Sequence, residues 1–300
     1  MMHLAPIWLR LPPHRAARLV LLAFCATVLA GCASITITTE PRAVLLGDDR
    51  KVQVHRLNCP EAAEQARRTR AGAAALDPSG FHLLTWNIHK QGDKGWQEDL
   101  ATFVRRSDIV LLQELVLEPG IRNIIEDAGL EWAMASSFQN SEIDIGVLTA
   151  ARVTPLATCT QRVVEPILRI PKSSVITWYA IKGSRQTVAV ANMHAINFSL
   201  MLGAYREQLD AMREALAGHQ GPIVFAGDLN TWTQARYDAV EETAKALGMT
   251  EISFAEDRRK LFMGKQLDHI FIRGLTMSQS FATEVTSSDH NPVEATLRLP

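Results

Sequence analysis

The feature that most constrains the fold is a series of short apolar runs between residues 81 and 300, several of which end at a polar side chain. The length and apolar character of these runs predict β-strands. The predicted strands are His82–Trp86, Ile109–Gln113, Ile145–Thr149, Ser174–Ile181, Thr187–Asn192, Ile223–Ala226, Leu267–Ile272 and Val293–Leu299.

Helical segments separate some of these strands. The predicted helices are Trp96–Arg106, Gly120–Ala128, Leu202–Leu216 and Gln234–Leu247. In the third of them, apolar residues recur at spacings of three or four, which places one apolar stripe along the helix. The helices come at intervals too irregular for a strict βαβ barrel. The pattern therefore predicts an α/β fold in which two sheets pack face to face with helices outside.

The charge of the chain limits the kind of partner it can bind. A hydrophobic fraction of 47% with 21% charged residues is typical of a globular protein. Residues 81–300 hold 21 Lys and Arg against 26 Asp and Glu, a net charge of −5. This argues against tight non-specific DNA binding, which depends on many basic contacts to phosphates. It does not exclude a nuclease, because a bound metal would neutralise some of the acids.

The N-terminus predicts a secretory signal over residues 1–32. A basic flank precedes an uncharged run from Leu19 to Ala30, and the segment closes with Leu29-Ala30-Gly31-Cys32. This ending resembles the bacterial lipobox, which implies that Cys32 is lipidated and that the protein lies in the bacterial cell envelope. Since Ala33-Ser34 offers no acidic retention signal, the periplasmic face of the outer membrane is favoured.

Two other interpretations of this segment stay open. The run from Leu19 to Thr39 lacks charges and could anchor the chain uncleaved in the inner membrane. Alternatively, Cys32 is a small buried residue without a modification. If the signal is removed and Cys32 is lipidated, Cys59 and Cys159 remain in a compartment that permits disulfides, but their spacing does not require that they pair.

Residues 33–80 predict a tether followed by irregular structure. A polar, alanine-rich stretch beginning at Glu61 predicts one helix. The sequence Leu76-Asp77-Pro78-Ser79-Gly80 then interrupts regular structure, so the large domain is predicted to span residues 81–300.

Acids, amides and histidines lie at the ends of the predicted strands. Buried carboxylates are costly unless they are paired or bind metal, so a shared site is the economical explanation. Carboxylates can hold a divalent cation, imidazoles can move a proton, and amides can stabilise a developing oxyanion. The candidate residues are Asn87, Glu114, His194, Asp228, Asn230, Asp268, Asp289 and His290.

These residues stand in an order that resembles the endonuclease/exonuclease/phosphatase superfamily, over about residues 81–300. The motifs are Trp86-Asn87, Gln113-Glu114, Asn192-Met193-His194, Gly227-Asp228-Leu229-Asn230, Leu267-Asp268-His269-Ile270-Phe271 and Ser288-Asp289-His290. The sequences 86–90, 165–169 and 192–199 further resemble its uncharacterised bacterial YafD-like branch. The resemblance implies a DNase-like, four-layer α/β sandwich with two mixed sheets and a site at one rim of the sheets.

The resemblance implies a metal at three of these residues. Asn87 and Glu114 would bind a divalent cation, and Asp289 would hold the metal or one of its waters. Oxygen ligands suit Mg²⁺, with Mn²⁺ as a second possibility. Lys90 and Arg169 are candidates for further contacts to the substrate phosphate.

The resemblance also implies the catalytic groups. Asp228 would orient and deprotonate the attacking water, and Asn230 would donate a hydrogen bond to the phosphoryl oxygens. His290 would contact the phosphate, oriented by Asp268. His194 would bind the phosphate from the other side, stabilising the transition state or protonating the leaving oxygen.

The family often supplies a carboxylate that partners the first histidine, here His194. Glu142, Asp144 and Glu165 are the candidates, and Glu165 is preferred because its motif resembles the branch.

Three functions follow from this site. The first is a metal-dependent phosphodiesterase with endonuclease-like activity on nucleic acid. The second is a phosphoesterase acting on lipid headgroups or small phosphate esters at the membrane, which the acidic domain and the anchor favour. The third is a non-catalytic binding protein. In each case the chain is expected to be a monomer that reaches the membrane through its N-terminus.

Overall fold

A computed structural model of the chain defines residues 35–38, 41–46, 51–55, 57–69, 74–199 and 201–300. The predicted signal and Cys32 lie outside these described residues. No helix in the described ranges combines the length and the apolar character that a membrane span requires.

Strands dominate the described residues. Numbered along the chain, they are β1 (Ile35–Thr36), β2 (Arg42–Leu46), β3 (Val52–His55), β4 (Ala75–Leu76), β5 (Phe81–Asn87), β6 (Ile109–Val116), β7 (Glu131–Asn140), β8 (Ile143–Ala151), β9 (Ala157–Val164), β10 (Pro171–Ile181), β11 (Thr187–His194), β12 (Ile223–Asp228), β13 (Thr250–Glu251), β14 (Leu261–Phe262), β15 (Lys265–Gln266), β16 (Asp268–Arg273), β17 (Thr276–Ala282) and β18 (Val293–Arg298). The α-helices are α1 (Cys59–Arg68), α2 (Trp96–Arg106), α3 (Pro119–Asp127), α4 (Gly203–Ala217) and α5 (Gln234–Ala246).

The strands form two large mixed sheets and one small hairpin. The first sheet has the order β17-β18-β5-β6-β8-β7-β2-β3, with β1 paired to β7. The second has the order β13-β16-β12-β11-β10-β4, with β9 paired to β10. Strands β14 and β15 form the separate hairpin.

The two large sheets pack face to face, with helices on both outer faces. Leu83 and Leu111 of the first sheet share one buried cluster with Val190 and Val224 of the second. Helices α2 and α3 cover the outer face of the first sheet. Helices α1, α4 and α5 cover the outer face of the second sheet. The predicted four-layer α/β sandwich is therefore confirmed.

The central strands are buried on both faces, which explains why the sequence predicts them. In β5, Leu83 faces the second sheet and Leu84 faces the helices on the other side. A strand covered on both sides appears in the sequence as a continuous apolar run. All eight predicted strands and four predicted helices are present, with ends within three residues of those predicted.

The described part of residues 33–80 is more regular than the sequence suggested. The predicted helix at Glu61 is confirmed as α1. The expectation of irregular structure is wrong for β2, which pairs with β7 and extends the first sheet. Apolar residues of β2, including Val44, pack in the core under that sheet.

A disulfide fixes this N-terminal region to the domain. Cys59 at the start of α1 is bonded to Cys159 in β9, with the two Cα atoms 4.9 Å apart. The sequence left this pairing open, because the two residues are separated by 100 positions. The bond joins α1 to the outer face of the second sheet.

Candidate active site

Strand direction brings the candidate residues to one edge of the two sheets. His194 and Asp228 end the parallel strands β11 and β12, and they are paired in register. Asp228 is also paired with Asp268, which begins the antiparallel strand β16. Asn87 ends β5 at the same edge of the first sheet, and His290 precedes β18, which runs antiparallel to β5.

The end of β12 depends on an unusually close approach of two strands. Gly227 has a φ of 138°, and a Cβ there would lie 2.0 Å from the carbonyl oxygen of Met193. Only glycine tolerates this conformation and contact. Asn230 then adopts a φ of 49°, and its N–H donates to Asp228 Oδ1 at 3.1 Å. This turn fixes the Asp228 carboxylate at the edge of the sheet.

Asp228 is the buried carboxylate at the centre of the site. Its Oδ2 atom accepts a hydrogen bond from Asn87 Nδ2 at 2.9 Å. The same oxygen lies 3.4 Å from His194 Nε2 and 3.8 Å from His290 Nε2. One carboxylate therefore lies between two imidazoles, a geometry suited to handling the proton of a water molecule.

His290 is held as a cation. Its Nδ1 atom lies 2.7 Å from Asp268 Oδ2, within hydrogen-bond distance. Burial acts to lower the pKa of His290, but the carboxylates of Asp268, Asp228 and Asp289 together raise the pKa to about 10. His290 is thus protonated at neutral pH, with Nδ1–H donating to Asp268.

His194 is held in the opposite charge state. Its Nε2 atom lies 3.0 Å from Lys172 Nζ. When the imidazole is neutral, its Nε2 can accept a hydrogen bond from the Lys172 ammonium group. Burial and the Lys172 charge lower the pKa of His194 to about 4, against the opposing effect of Asp228 and Glu114. Two histidines with pKa values pushed apart are a common mark of acid–base sites.

The preference for Glu165 as the partner of His194 is wrong. Glu165 Oε1 instead accepts hydrogen bonds from the backbone N–H groups of Asn197 and Phe198, at 2.8 and 2.7 Å. His194 Nε2 instead lies 3.0 Å from Lys172, which was not among the predicted site residues, and 3.4 Å from Asp228 and 3.6 Å from Glu114. The signal was present, since Lys172 is a single cation within the strand β10.

The other two carboxylate candidates also lie elsewhere. Asp144 Oδ1 accepts a hydrogen bond from Arg42 Nε at 3.0 Å. Glu142 lies in the exposed turn between β7 and β8.

The Lys172 contact gives a test of the charge state of His194. Replacing Lys172 by methionine removes the charge that lowers the pKa of His194, so this pKa should rise from about 4 toward the ordinary value of 6.5. A pH titration of the His194 ring signals by NMR measures the change. Lys182→Met, at an exposed position directly after the same strand, serves as the matched control. An unchanged pKa in Lys172→Met would show that Lys172 does not set the charge of this ring.

Glu114 is turned into the site by a bulge in β6. The pairing of β6 with β8 shifts between Leu112 and Leu115, and Glu114 has a φ of 52°. Such bulges redirect a side chain away from the regular strand pattern. Glu114 is ion-paired with Lys90, and its Oε1 lies 3.8 Å from Lys172 Nζ.

The charge of Glu114 is also defined by its surroundings. Burial acts to raise the pKa of Glu114, but the His194 imidazole, which is protonated at such low pH, and the Lys172 and Lys90 ammonium groups lower the pKa to about 2. The carboxylate is therefore ionised throughout the neutral range.

Six of the eight candidate residues line one cavity of about 480 Å³, whereas His194 and Asp268 are not part of its lining. The six candidates in the lining are Asn87, Glu114, Asp228, Asn230, Asp289 and His290. The cavity thus brings the three predicted metal ligands next to the predicted catalytic groups. Its other wall is apolar and includes Ile167, Phe198, Trp232, Phe262 and Met263.

The two predicted phosphate contacts differ in position. Lys90 reaches the site, where it pairs with Glu114. Arg169 lies in the exposed turn between β9 and β10 and does not line the cavity. The phosphate contact of Arg169 therefore stays a prediction.

A possible metal site is formed by a different set of residues. Within the described residues, ligand atoms of Asp228, Asp268 and His290 lie within 4.8 Å of one another. A proton already joins His290 to Asp268, so a metal bound by all three would have to displace it. Glu114 has no such requirement, because it is ionised and is compensated by the lysine ammonium groups alone.

Comparison with known proteins identifies close sequence relatives. The model of the endonuclease/exonuclease/phosphatase family matches residues 84–290. A UPF0294 protein of Vibrio parahaemolyticus is 36% identical over 231 residues, covering 76% of this chain and 82% of the relative. The names of such relatives do not carry the YafD label, so membership of that branch stays a prediction.

Solved structures share the fold at much lower identity. The human Nocturnin catalytic domain, solved with a bound sulfate anion, matches with a TM-score of 0.59 and 16% identity, covering 76% of this chain and 97% of that one. ANGEL2, a 2',3'-cyclic phosphatase in complex with adenosine-2',3'-vanadate, matches with a TM-score of 0.61 and 14% identity, covering 77% and 99%. At these identities the likeness concerns the fold alone.

Proposed function

The chain belongs to the endonuclease/exonuclease/phosphatase family, and on this premise we propose that it is a divalent-metal-dependent phosphoester hydrolase. One observation carries the proposal. A buried carboxylate, Asp228, lies between a neutral and a cationic histidine in the cavity that also contains the ionised Glu114. This combination supplies a base, a cation and a metal ligand around one position.

The residues around Glu114 fit a hard divalent cation such as Mg²⁺ or Mn²⁺. Glu114 supplies an ionised oxygen ligand, and Asn87 and Asp289 supply further oxygens in the same cavity. The Lys90 ammonium group, paired with Glu114, shows that this position accommodates a positive charge. A bound cation would polarise a phosphoryl oxygen and stabilise negative charge that develops on it.

The chain's own residues account for the proton transfers. Asp228 orients the water and accepts its proton as the water oxygen bonds to phosphorus and the ester P–O bond breaks. Since Nδ1 of His290 is bonded to Asp268, its Nε2–H is available to a phosphoryl or leaving oxygen. Lys172 adds positive charge beside His194. Asp228 lies between this histidine and His290.

Two classes of substrate are candidates, a nucleic-acid phosphodiester and a lipid phosphoester, and the charge and the cavity favour them to different degrees. The sequence placed a nucleic-acid phosphodiester first, and the phosphatase activities named for structural relatives are compatible with that choice. The net charge of −5 over residues 81–300 opposes extended contact with nucleic acid. The apolar cavity wall, with Phe198, Phe262 and Met263, favours the second class, a lipid phosphoester.

A substrate panel tests the proposal. Purified protein with Mg²⁺ is given bis(p-nitrophenyl) phosphate, plasmid DNA, or phospholipid vesicles. We expect hydrolysis of the soluble phosphodiester that is lost with EDTA and in Asp228→Asn. The ratio of plasmid to phospholipid cleavage then orders the two substrate classes. If wild-type protein cleaves none of the three, the enzymatic proposal fails and the non-catalytic binding role gains support.

For the N-terminal segment we propose a lipid anchor on Cys32, which places a monomeric enzyme at the bacterial cell envelope, on the periplasmic face of the outer membrane. Support comes from the sequence Leu29-Ala30-Gly31-Cys32. Cys32→Ser should release the protein from the membrane fraction. Cys25→Ser, within the segment that would be removed, is the matched control and should stay membrane-bound. If Cys32→Ser leaves the membrane partition unchanged, lipidation is rejected and an uncleaved inner-membrane anchor becomes the better account.

A further inference from the structure

Exposed apolar side chains are concentrated around the mouth of the active-site cavity. The described residues include thirteen exposed large apolar side chains, and eight of them lie in three short segments: 164–168, 198–199 together with 201, and 261–263. We call these three segments the apolar rim. An exposed apolar patch beside a cavity marks a site of interaction with another molecule or a membrane.

The rim is part of the path to the catalytic groups. Ile167, Phe198, Phe262 and Met263 line the same cavity as Asp228. The three segments come from separate parts of the chain: the β9–β10 connection, the loop after β11, and the β14–β15 hairpin. A phosphoester that reaches the cavity therefore contacts rim side chains from more than one segment.

A buried carboxylate that the chemistry does not use holds two rim segments together. Glu165 lies within the first segment and accepts hydrogen bonds from Asn197 and Phe198 at the second. The buried Arg236 guanidinium fixes the same loop, because it donates to the backbone carbonyls of Ile196 and Asn197 at 2.5 and 2.8 Å. The rim is thus a positioned surface, and its exposed apolar residues are presented by a supported backbone.

The charges next to the rim are positive. Arg169, Lys260 and Lys265 lie within two residues of the rim segments, whereas the one acid inside these segments, Glu165, is buried and accepts backbone hydrogen bonds. The charges that flank the rim are therefore opposite in sign to the net charge of −5 over residues 81–300. Apolar side chains flanked by Lys and Arg are the pattern that binds the surface of a bilayer containing anionic lipids.

From these observations we infer that the apolar rim is a membrane-facing surface, through which the site takes the phosphoester of an amphipathic lipid. The inference rests on the proposed function and names its substrate class. Six of the eight exposed rim side chains are aliphatic or methionine, whereas binding of single-stranded nucleic acid relies on aromatic stacking. The rim composition therefore favours a bilayer over nucleic acid.

Insertion of the rim is tested by a fluorescent reporter that does not depend on catalysis. Phe262→Trp places an indole in the rim, and Phe281→Trp is the matched control, because both phenylalanines are 54% exposed and Phe281 lies outside the cavity lining. Each full-length variant is mixed with vesicles of phosphatidylethanolamine and phosphatidylglycerol that carry brominated acyl chains. After subtraction of the wild-type signal, we expect quenching for Phe262→Trp only. Equal quenching of both, or none at position 262, overturns the inference.

Activity provides the second readout. Phe262→Ser should lower the rate on vesicle phospholipid about tenfold, the scale of one lost aromatic contact. The rate of Phe262→Ser on bis(p-nitrophenyl) phosphate should fall by a much smaller factor than its vesicle rate, and both rates of Phe281→Ser should stay at the wild-type level. If Phe262→Ser instead slows cleavage of an oligonucleotide and leaves the vesicle rate unchanged, the rim serves nucleic acid and the inference is wrong. If wild-type protein fails on the soluble phosphodiester, the proposed function fails, whereas the quenching result still decides the rim.

Discussion

Asp228→Asn is expected to reduce phosphodiester hydrolysis about a thousandfold, the scale of losing a positioned general base. The amide cannot accept the proton of the attacking water. It retains the oxygen that accepts the N–H of Asn230, so the turn after β12 should keep its shape. The measurement is kcat/KM for bis(p-nitrophenyl) phosphate at saturating Mg²⁺.

Asp238→Asn, on the exposed side of α5, is the matched control and should retain wild-type activity. Circular dichroism and thermal unfolding check that both variants fold. A folded Asp228→Asn variant with the wild-type rate would remove Asp228 from the chemistry.

Asp268→Asn is expected to reduce the rate about a hundredfold and to move the alkaline limit of activity to lower pH. In the wild type, Asp268, Asp228 and Asp289 raise the pKa of His290 to about 10 despite its burial. Removing Asp268 takes away the largest of these charge effects, so His290 loses its proton at a lower pH. The loss of rate should therefore be greater at alkaline than at acidic pH. A pH profile of kcat/KM with an unchanged alkaline limit would contradict this role of Asp268.

The free energy of unfolding should depend on the same protonation of His290. The folded-state pKa of His290, about 10, lies above the ordinary value of 6.5. Its contribution to the free energy of unfolding is complete below pH 6.5 and is lost as the pH rises through about 10. Asp268→Asn should therefore lower the melting temperature at pH 6 by more than it does at pH 10. Equal decreases at the two pH values would indicate that the His290 charge does not stabilise the fold.

The architecture was predictable because its central strands are buried on both faces. Runs such as Ile223–Ala226 consist of apolar residues because both faces of the strand are buried, and this composition alone predicts a strand. Strand β7 was missed, because Glu131–Asn140 is rich in Ala and Ser and shows no clear alternation. It is a strand because β8 and β2 pair with it on its two sides, which is information outside its own residues.

The residues of the site also differ in whether the sequence alone predicts them. Asn87 and Asp228 were found because each follows an apolar run, and Asp268 was found because it lies near the start of one. Lys172 was missed, because its importance depends on a contact with His194 that only the pairing of β10 with β11 creates.

Glu165 shows the opposite error. Its motif led to a role beside His194, whereas its carboxylate binds the backbone of the loop after β11. Local sequence shows that a carboxylate is present, but its partner depends on the path of two distant segments.

The central claim is that this site uses a divalent cation at Glu114 to hydrolyse a phosphoester. The measurement that tests it most directly is the Mg²⁺ dependence of bis(p-nitrophenyl) phosphate hydrolysis by wild-type protein and Glu114→Gln. We predict saturable activation of the wild type, no activity in EDTA, and at least about a tenfold higher Mg²⁺ requirement in Glu114→Gln, as expected for the loss of a charged ligand. Wild-type activity in EDTA, or an unchanged Mg²⁺ requirement in Glu114→Gln, would contradict the claim.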